Sequence, residues 1–147
     1  MENFKQQDRS FTTRVWIVDD EPISRFIIKK CIPDIHEFNV VGEFEDGKDA
    51  IETLEHLSSE DEQFPDVIIL DVNMPIMDGW DFMSRFEEHF QNKDHPKVFI
   101  LSSSEHQDDL DQCKKFSAIQ EYLVKPTSID LMEETLARHF DLAKKVV

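Results

Sequence analysis

Five short apolar runs alternate with amphipathic stretches along this chain, and that alternation restricts the fold more than any other feature. The runs are Val15-Trp16-Ile17-Val18, Phe38–Phe44, Val67-Ile68-Ile69-Leu70, Val98-Phe99-Ile100-Leu101 and Ile119–Val124. The first, third and fourth are nearly continuous apolar tetrapeptides, the pattern of strands covered on both faces. The second and fifth are more polar, which places them toward the sheet edges. Between the runs, apolar residues recur at helical spacing. Ile23, Phe26, Ile27 and Cys31 follow Pro22, which suits a first helical position. Ala50, Ile51, Leu54 and Leu57 mark a second helix, Phe82, Met83, Phe86 and Phe90 a third, and Leu110, Cys113 and Phe116 a shorter fourth. A fifth starts at Ser128, an N-cap candidate, and runs through Met132, Leu136 and Phe140 toward Lys144-Lys145. Strand followed by helix, repeated five times, implies an α/β fold: a doubly wound five-stranded parallel sheet with helices on both faces.

A chain of 147 residues fits one compact domain, expected over residues 14–147 after a loosely ordered arm of residues 1–13. Hydrophobic residues make up 39% and include twelve Phe, enough for a core. The 32 acids outnumber the 16 bases and give a formal charge of −16. That balance argues against DNA and against an anionic membrane surface as partners, since phosphate contacts need clustered Lys and Arg. It leaves room for a basic protein partner. Residues 58–63, SSEDEQ, read as a solvated acidic loop. Cys31 and Cys113 share no metal spacing; they read as buried free thiols of a cytosolic domain, with a single disulfide as the alternative. The N-terminal residues lack the apolar core of a secretory signal, and no run approaches the ~20 residues of a membrane span. A cytoplasmic location is expected. The six histidines show no paired-ligand spacing.

The chemistry gathers where the strands end. The first strand runs into Asp19-Asp20-Glu21 and the third into Asp71. In a sheet of order 2-1-3-4-5 these two strands are neighbours, and their carboxyl ends flank the topological switch point. Adjacent strands lie ~4.8 Å apart, so the acids meet within a few ångströms. Like charges so close are stable only with a cation between them or with some protons retained. Mg2+ suits such a set, taking carboxylates, a carbonyl, waters and a phosphate oxygen. For any one acid alone, capping the first helix is the simpler role. Ser102 ends the fourth strand and Lys125 follows the fifth, both at the same rim. Together these residues describe an aspartate nucleophile, a metal, a hydroxyl donor and a fixed cation able to hold a phosphoryl group on Asp71.

The segments IVDDEP, LDVNMPIMDGW, LSSS and YLVKP, in order over about residues 14–143, resemble the receiver domain of two-component response regulators. The resemblance implies a flavodoxin-like fold in which Asp71 accepts a phosphoryl group from a histidine of a sensor histidine kinase or a histidine phosphotransfer protein. It implies Mg2+ held directly by Asp20, through water by Asp19, and by Asp71 and the Asn73 carbonyl. Ser102 would hydrogen-bond the phosphoryl oxygens, Lys125 would pair with them, and Tyr122 would be the switch aromatic. The Lys125-Pro126 bond falls where the family often has a cis peptide. The family role is that of a signalling phosphoacceptor rather than an enzyme, though one that assists its own phosphorylation and dephosphorylation. Ser103 replaces a commonly smaller residue, no Gly follows the fourth strand, and Asn73 and Ser104 sit where relatives tune dephosphorylation.

Two other readings compete. A haloacid-dehalogenase-like phosphatase also uses a strand-end Asp with Mg2+, but its motif resembles Asp-x-Asp, and here Asn73 stands at the second position. A degenerate receiver that binds partners without phosphorylation usually lacks an acid, the hydroxyl residue or the lysine, all of which are present. Few residues follow the fifth helix, so a stand-alone receiver is expected, signalling by protein contact. The face of the fourth helix, fifth strand and fifth helix, with Tyr122, Phe116, Lys114 and Lys115, is the candidate output surface and a candidate homodimer interface. The downstream target is not specified by the sequence.

Overall fold

A computed structural model describes residues 13–32, 37–91, 93–103, 107–125 and 127–140. Five strands, β1 (Thr13–Val18), β2 (Phe38–Phe44), β3 (Val67–Leu70), β4 (Lys97–Ser102) and β5 (Ile119–Val124), alternate with five helices. The helices are α1 (Pro22–Cys31), α2 (Gly47–His56), α3 (Gly79–His89), α4 (Gln107–Cys113) and α5 (Ile129–Phe140). The strands form one parallel sheet in the order β2-β1-β3-β4-β5. This is the doubly wound arrangement anticipated from the alternation. The continuously apolar β3 is buried at every position, whereas β2 and β5, the more polar runs, form the edges.

Alternating side chains along the strands feed two separate apolar layers. Trp16, Val18, Ile68, Leu70, Val98 and Ile100 point to one face, covered by Ile51 and Leu54 of α2 and Phe82, Met83 and Phe86 of α3. Val15, Ile17, Val67, Ile69, Phe99 and Leu101 point to the other, covered by Ile28 and Cys31 of α1 and Met132 and Leu136 of α5. Trp16 needs space at the edge. A Cβ on Gly42, its partner on β2, would lie 2.6 Å from the indole, so only glycine fits there.

Helix starts follow local chemistry. Asp46 and Asp78 cap α2 and α3 by accepting the backbone N–H of Asp49 and Asp81, and the Ser128 hydroxyl accepts that of Leu131 at α5. Asp78 is thus a helix cap as well as a turn residue. The continuation of α5 to Lys144-Lys145 and nearly all of the N-terminal arm lie outside the described residues.

The apolar spacing of Ile23, Phe26, Ile27 and Cys31 marks a helix, and of these four Cys31 is buried. Ile23 is 77% exposed and Phe26 57%, and α1 packs through Cys31 with Ile28 and the following Ile32. An apolar stripe records where apolar residues are, and their covering depends on how far the sheet extends beneath. The fourth helix is equally lightly held. No residue of α4 is buried. It is fixed from outside by Trp80, whose indole N–H donates to Asp109 at 3.3 Å and whose ring stacks on Phe116 at a centroid distance of 6.3 Å.

Candidate functional site

The carboxyl ends of β1 and β3 carry the acids into one pocket. Backbone hydrogen bonds continue the ladders past the strands, Asp19 N–H to Phe44 O at 3.0 Å and Asp71 N–H to Val18 O at 2.9 Å. Asp19 and Asp71 are therefore buried, at 1% and 4% exposure. Carboxylate oxygens of Asp19, Asp20 and Asp71 lie within 4.8 Å of one another. The loop that follows is shaped to keep Asp71 in place. The Met77 N–H donates to Pro75 O at 2.7 Å across Ile76, which takes φ 71°, a γ-turn of the strained hand for a β-branched residue. Gly79 then approaches so closely that a Cβ there would lie 2.7 Å from the Val72 Cα and 3.0 Å from the Asp71 carbonyl oxygen. The Asp-Gly pair after the motif thus serves two functions, a cap and a close contact.

Lys125 reaches the acids from the end of β5. Its Nζ lies 2.8 Å from Asp19, 3.1 Å from Glu21 and 3.6 Å from Asp71. Burial alone would lower its pKa, but these carboxylates outweigh that and raise it. Asp71 shifts the other way from a paired acid. Burial pushes its pKa from 3.8 to about 6, against the pull of Lys125 and with Asp19 and Asp20 adding to the rise. Asp19 is firmly oriented: one oxygen accepts the Glu21 N–H at 2.9 Å, the other the Ser24 hydroxyl at 2.5 Å, and its carbonyl accepts from Arg25 at 2.7 Å.

Ser102 is fully buried at the end of β4, and its Oγ accepts from the Asn73 side-chain amide at 3.4 Å. The Asn73 N–H donates to Asp71 at 3.3 Å. Tyr122 faces Ile100 across β4 and β5 and packs, partly buried, against the layer of Trp16 and Leu70. Ser103 is exposed. Ser104 and Pro126 lie outside the described residues. Sequence spacing assigns no partners to Ser24, Arg25 and Glu21. Glu21 falls within IVDDEP and Ser24 and Arg25 lie just beyond it, but their contacts form only once the first turn of α1 is folded back over Asp19.

The donor set fits a hard divalent cation. Among the described residues Asp20 Oδ1, in the three-carboxylate group, is one of the buried side-chain oxygens that have no hydrogen-bond partner. A buried acceptor without a donor is costly, and an oxygen-seeking ion such as Mg2+ would satisfy it. Asp19, Asp20 and Asp71 are the residues that would hold it.

Residues 15–137 match the family described as the response regulator receiver domain. The chain is 32% identical over 127 residues to the chemotaxis protein CheY of Listeria monocytogenes, covering 85% of this chain and 96% of that protein. It is 31% identical over 137 residues to a protein-glutamate methylesterase/protein-glutamine glutaminase of Geobacter sulfurreducens, 90% of this chain but 33% of that protein. The chain thus spans about a third of that relative. The crystal structure of a two-component response regulator from Cytophaga hutchinsonii superposes with a TM-score of 0.76 at 26% identity, covering 88% of this chain and 98% of that one.

Proposed function

Since the chain belongs to the response regulator receiver domain family, we propose that Asp71 takes a phosphoryl group from a phosphohistidine on a sensor histidine kinase or histidine phosphotransfer protein. The observation that carries this reading is the setting of Asp71. It is a buried carboxylate 3.6 Å from a fixed lysine, with two further acids within ion-sharing distance.

The transferring phosphoryl group carries charge on its equatorial oxygens, so catalysis is chiefly positioning and electrostatic stabilisation. An Asp71 oxygen attacks phosphorus, the P–O bond forms as the P–N bond to the donor breaks, and the donor imidazole keeps the electron pair. Lys125 neutralises the growing charge from the β5 side. Mg2+, when bound, would supply the second positive charge. Asp19 and Asp20 orient the acidic side of the pocket, and the Ser102 hydroxyl turns toward the new oxygens. That shift draws on β4 and its neighbour Tyr122, and so biases the surface of α4, β5 and α5 toward a different protein contact. A homodimer through that surface is one form the output can take. A histidine side chain is short, so the donor must close over the rim. The exposed Ile23 and Ile27 of α1 are the apolar area beside Glu21 and Lys125 that suits its docking.

Transfer of labelled phosphate from a phosphorylated histidine donor tests the assignment. Asp71→Asn is expected to abolish labelling while leaving the fold intact, and undiminished labelling of that variant would falsify it.

A further inference from the structure

We propose that Glu21 is a positioning residue that holds the Lys125 ammonium in the unphosphorylated protein and must release it when a phosphoryl group arrives. The proposal rests on the phosphoacceptor reading of Asp71. Lys125 does not sit closest to the nucleophile. Its Nζ is 3.1 Å from Glu21 and 2.8 Å from Asp19, but 3.6 Å from Asp71. One cation is thus shared among three acids, of which Asp71 is the most distant.

Glu21 is placed where a carboxylate ordinarily does something else. It occupies the N-cap of α1, with φ −92° and ψ 116°, yet its side chain makes no capping hydrogen bond. The corresponding acids of α2 and α3, Asp46 and Asp78, both cap. The extra methylene of glutamate suits it poorly to the cap and carries the carboxylate to Lys125 instead. Arg25, the other cation near this turn, is committed to Glu43 and to the Asp19 carbonyl. Glu21 therefore has Lys125 as its ion-pair partner, and it competes directly with whatever Asp71 carries.

The hold is weak enough to be broken. The Glu21 side chain is 62% exposed, and pairs so open to water shift an equilibrium by about a factor of two to five. Asp19, buried and fixed by the Glu21 N–H and Ser24, keeps its place beside Lys125. Phosphorylation adds charge on Asp71, Lys125 turns toward it, and Glu21 is left to water at small cost. Glu21 in this way sets how much of the unphosphorylated state must be given up before the phosphorylated state forms.

Beryllofluoride with saturating Mg2+, titrated against the full chain and followed by Trp80 fluorescence, reads that competition. Glu21→Gln removes the charge at constant size and is expected to tighten binding about two- to fivefold. Glu21→Asp separates pairing from charge. The shorter acid suits the cap and releases Lys125, so pairing predicts tightening close to that of Gln, whereas a through-space charge predicts wild-type affinity. Unchanged affinity in Glu21→Gln, or tightening in Gln with wild-type behaviour in Asp, overturns the proposal. If the wild type itself fails to bind beryllofluoride, the phosphoacceptor reading falls and this inference with it.

Discussion

Asp71 carries a buried charge at the centre of the site. Burial raises its pKa to about 6, while the same side chain in the unfolded chain titrates near 3.8. Between those values the folded protein binds the extra proton, so this group lowers stability as pH rises through the window. The penalty is absent below about pH 3.8 and fully present above about 6. Replacing the acid with its uncharged isostere removes it. Asp71→Asn is expected to raise the unfolding free energy at pH 7.5 by about 1–3 kcal/mol. The gain should shrink on acidification through that window, as measured by urea denaturation of both proteins. A gain that grows as pH falls would contradict the assignment. The identity of the acids, Ser102 and Lys125 was legible in the sequence because each follows an apolar strand, and strand ends converge in this topology. The reach of Glu21 to Lys125 and of Ser24 to Asp19 was not, since a side chain's partner depends on rotamers that no spacing encodes.

At the level of elements, the three interior strands could be read directly from their apolar tetrapeptides, and the two edges from their mixed runs. The helices were legible as helices but not always as packed faces. In α1 three of the four residues that defined the pattern, Ile23, Phe26 and Ile27, lie outside the core, and Cys31 carries the packing with Ile28 and Ile32. In α4 the pattern was short, and the helix buries no residue of its own. A segment with so little buried area opens at small free energy. Trp80 reaches it from α3 by the bond to Asp109, and its ring stacks on Phe116 just past the helix. Backbone amides of α4 are expected to exchange hydrogen faster than those of α3. Trp80→Ala should raise exchange in α4 roughly fivefold or more, the loss of a contact of about 1 kcal/mol, while leaving β1 and β3 protected. Equal protection of α4 in the variant would show that other contacts hold it.

Over the whole molecule, 32 acids face 16 bases, and the excess is spread along the chain as well as gathered at the rim. Some of it is locally matched. Arg138 and His139 of α5 both bond Glu121 on β5, which holds that carboxyl below its ordinary range despite the burial that would raise it. Arg25 and Lys29 do the same for Glu43. The remainder repels itself across a compact body, and salt shortens the range of that repulsion to about 10 Å at 0.1 M. Raising NaCl from 10 to 150 mM is expected to stabilise the fold by about 1 kcal/mol, seen as a melting temperature a few degrees higher. A fall in melting temperature would mean that the surface ion pairs outweigh the excess charge.

The buried acids at the rim have one further consequence. The oxygen of Asp20 without a partner and the charge that Asp71 carries in a buried site are both places where the folded chain is poorer than it needs to be. A population of variants bred only for survival of heating, with signalling allowed to decay, would find its easiest gains there. Amides would be expected to replace these acids early in such a lineage, before the apolar layers beneath had changed.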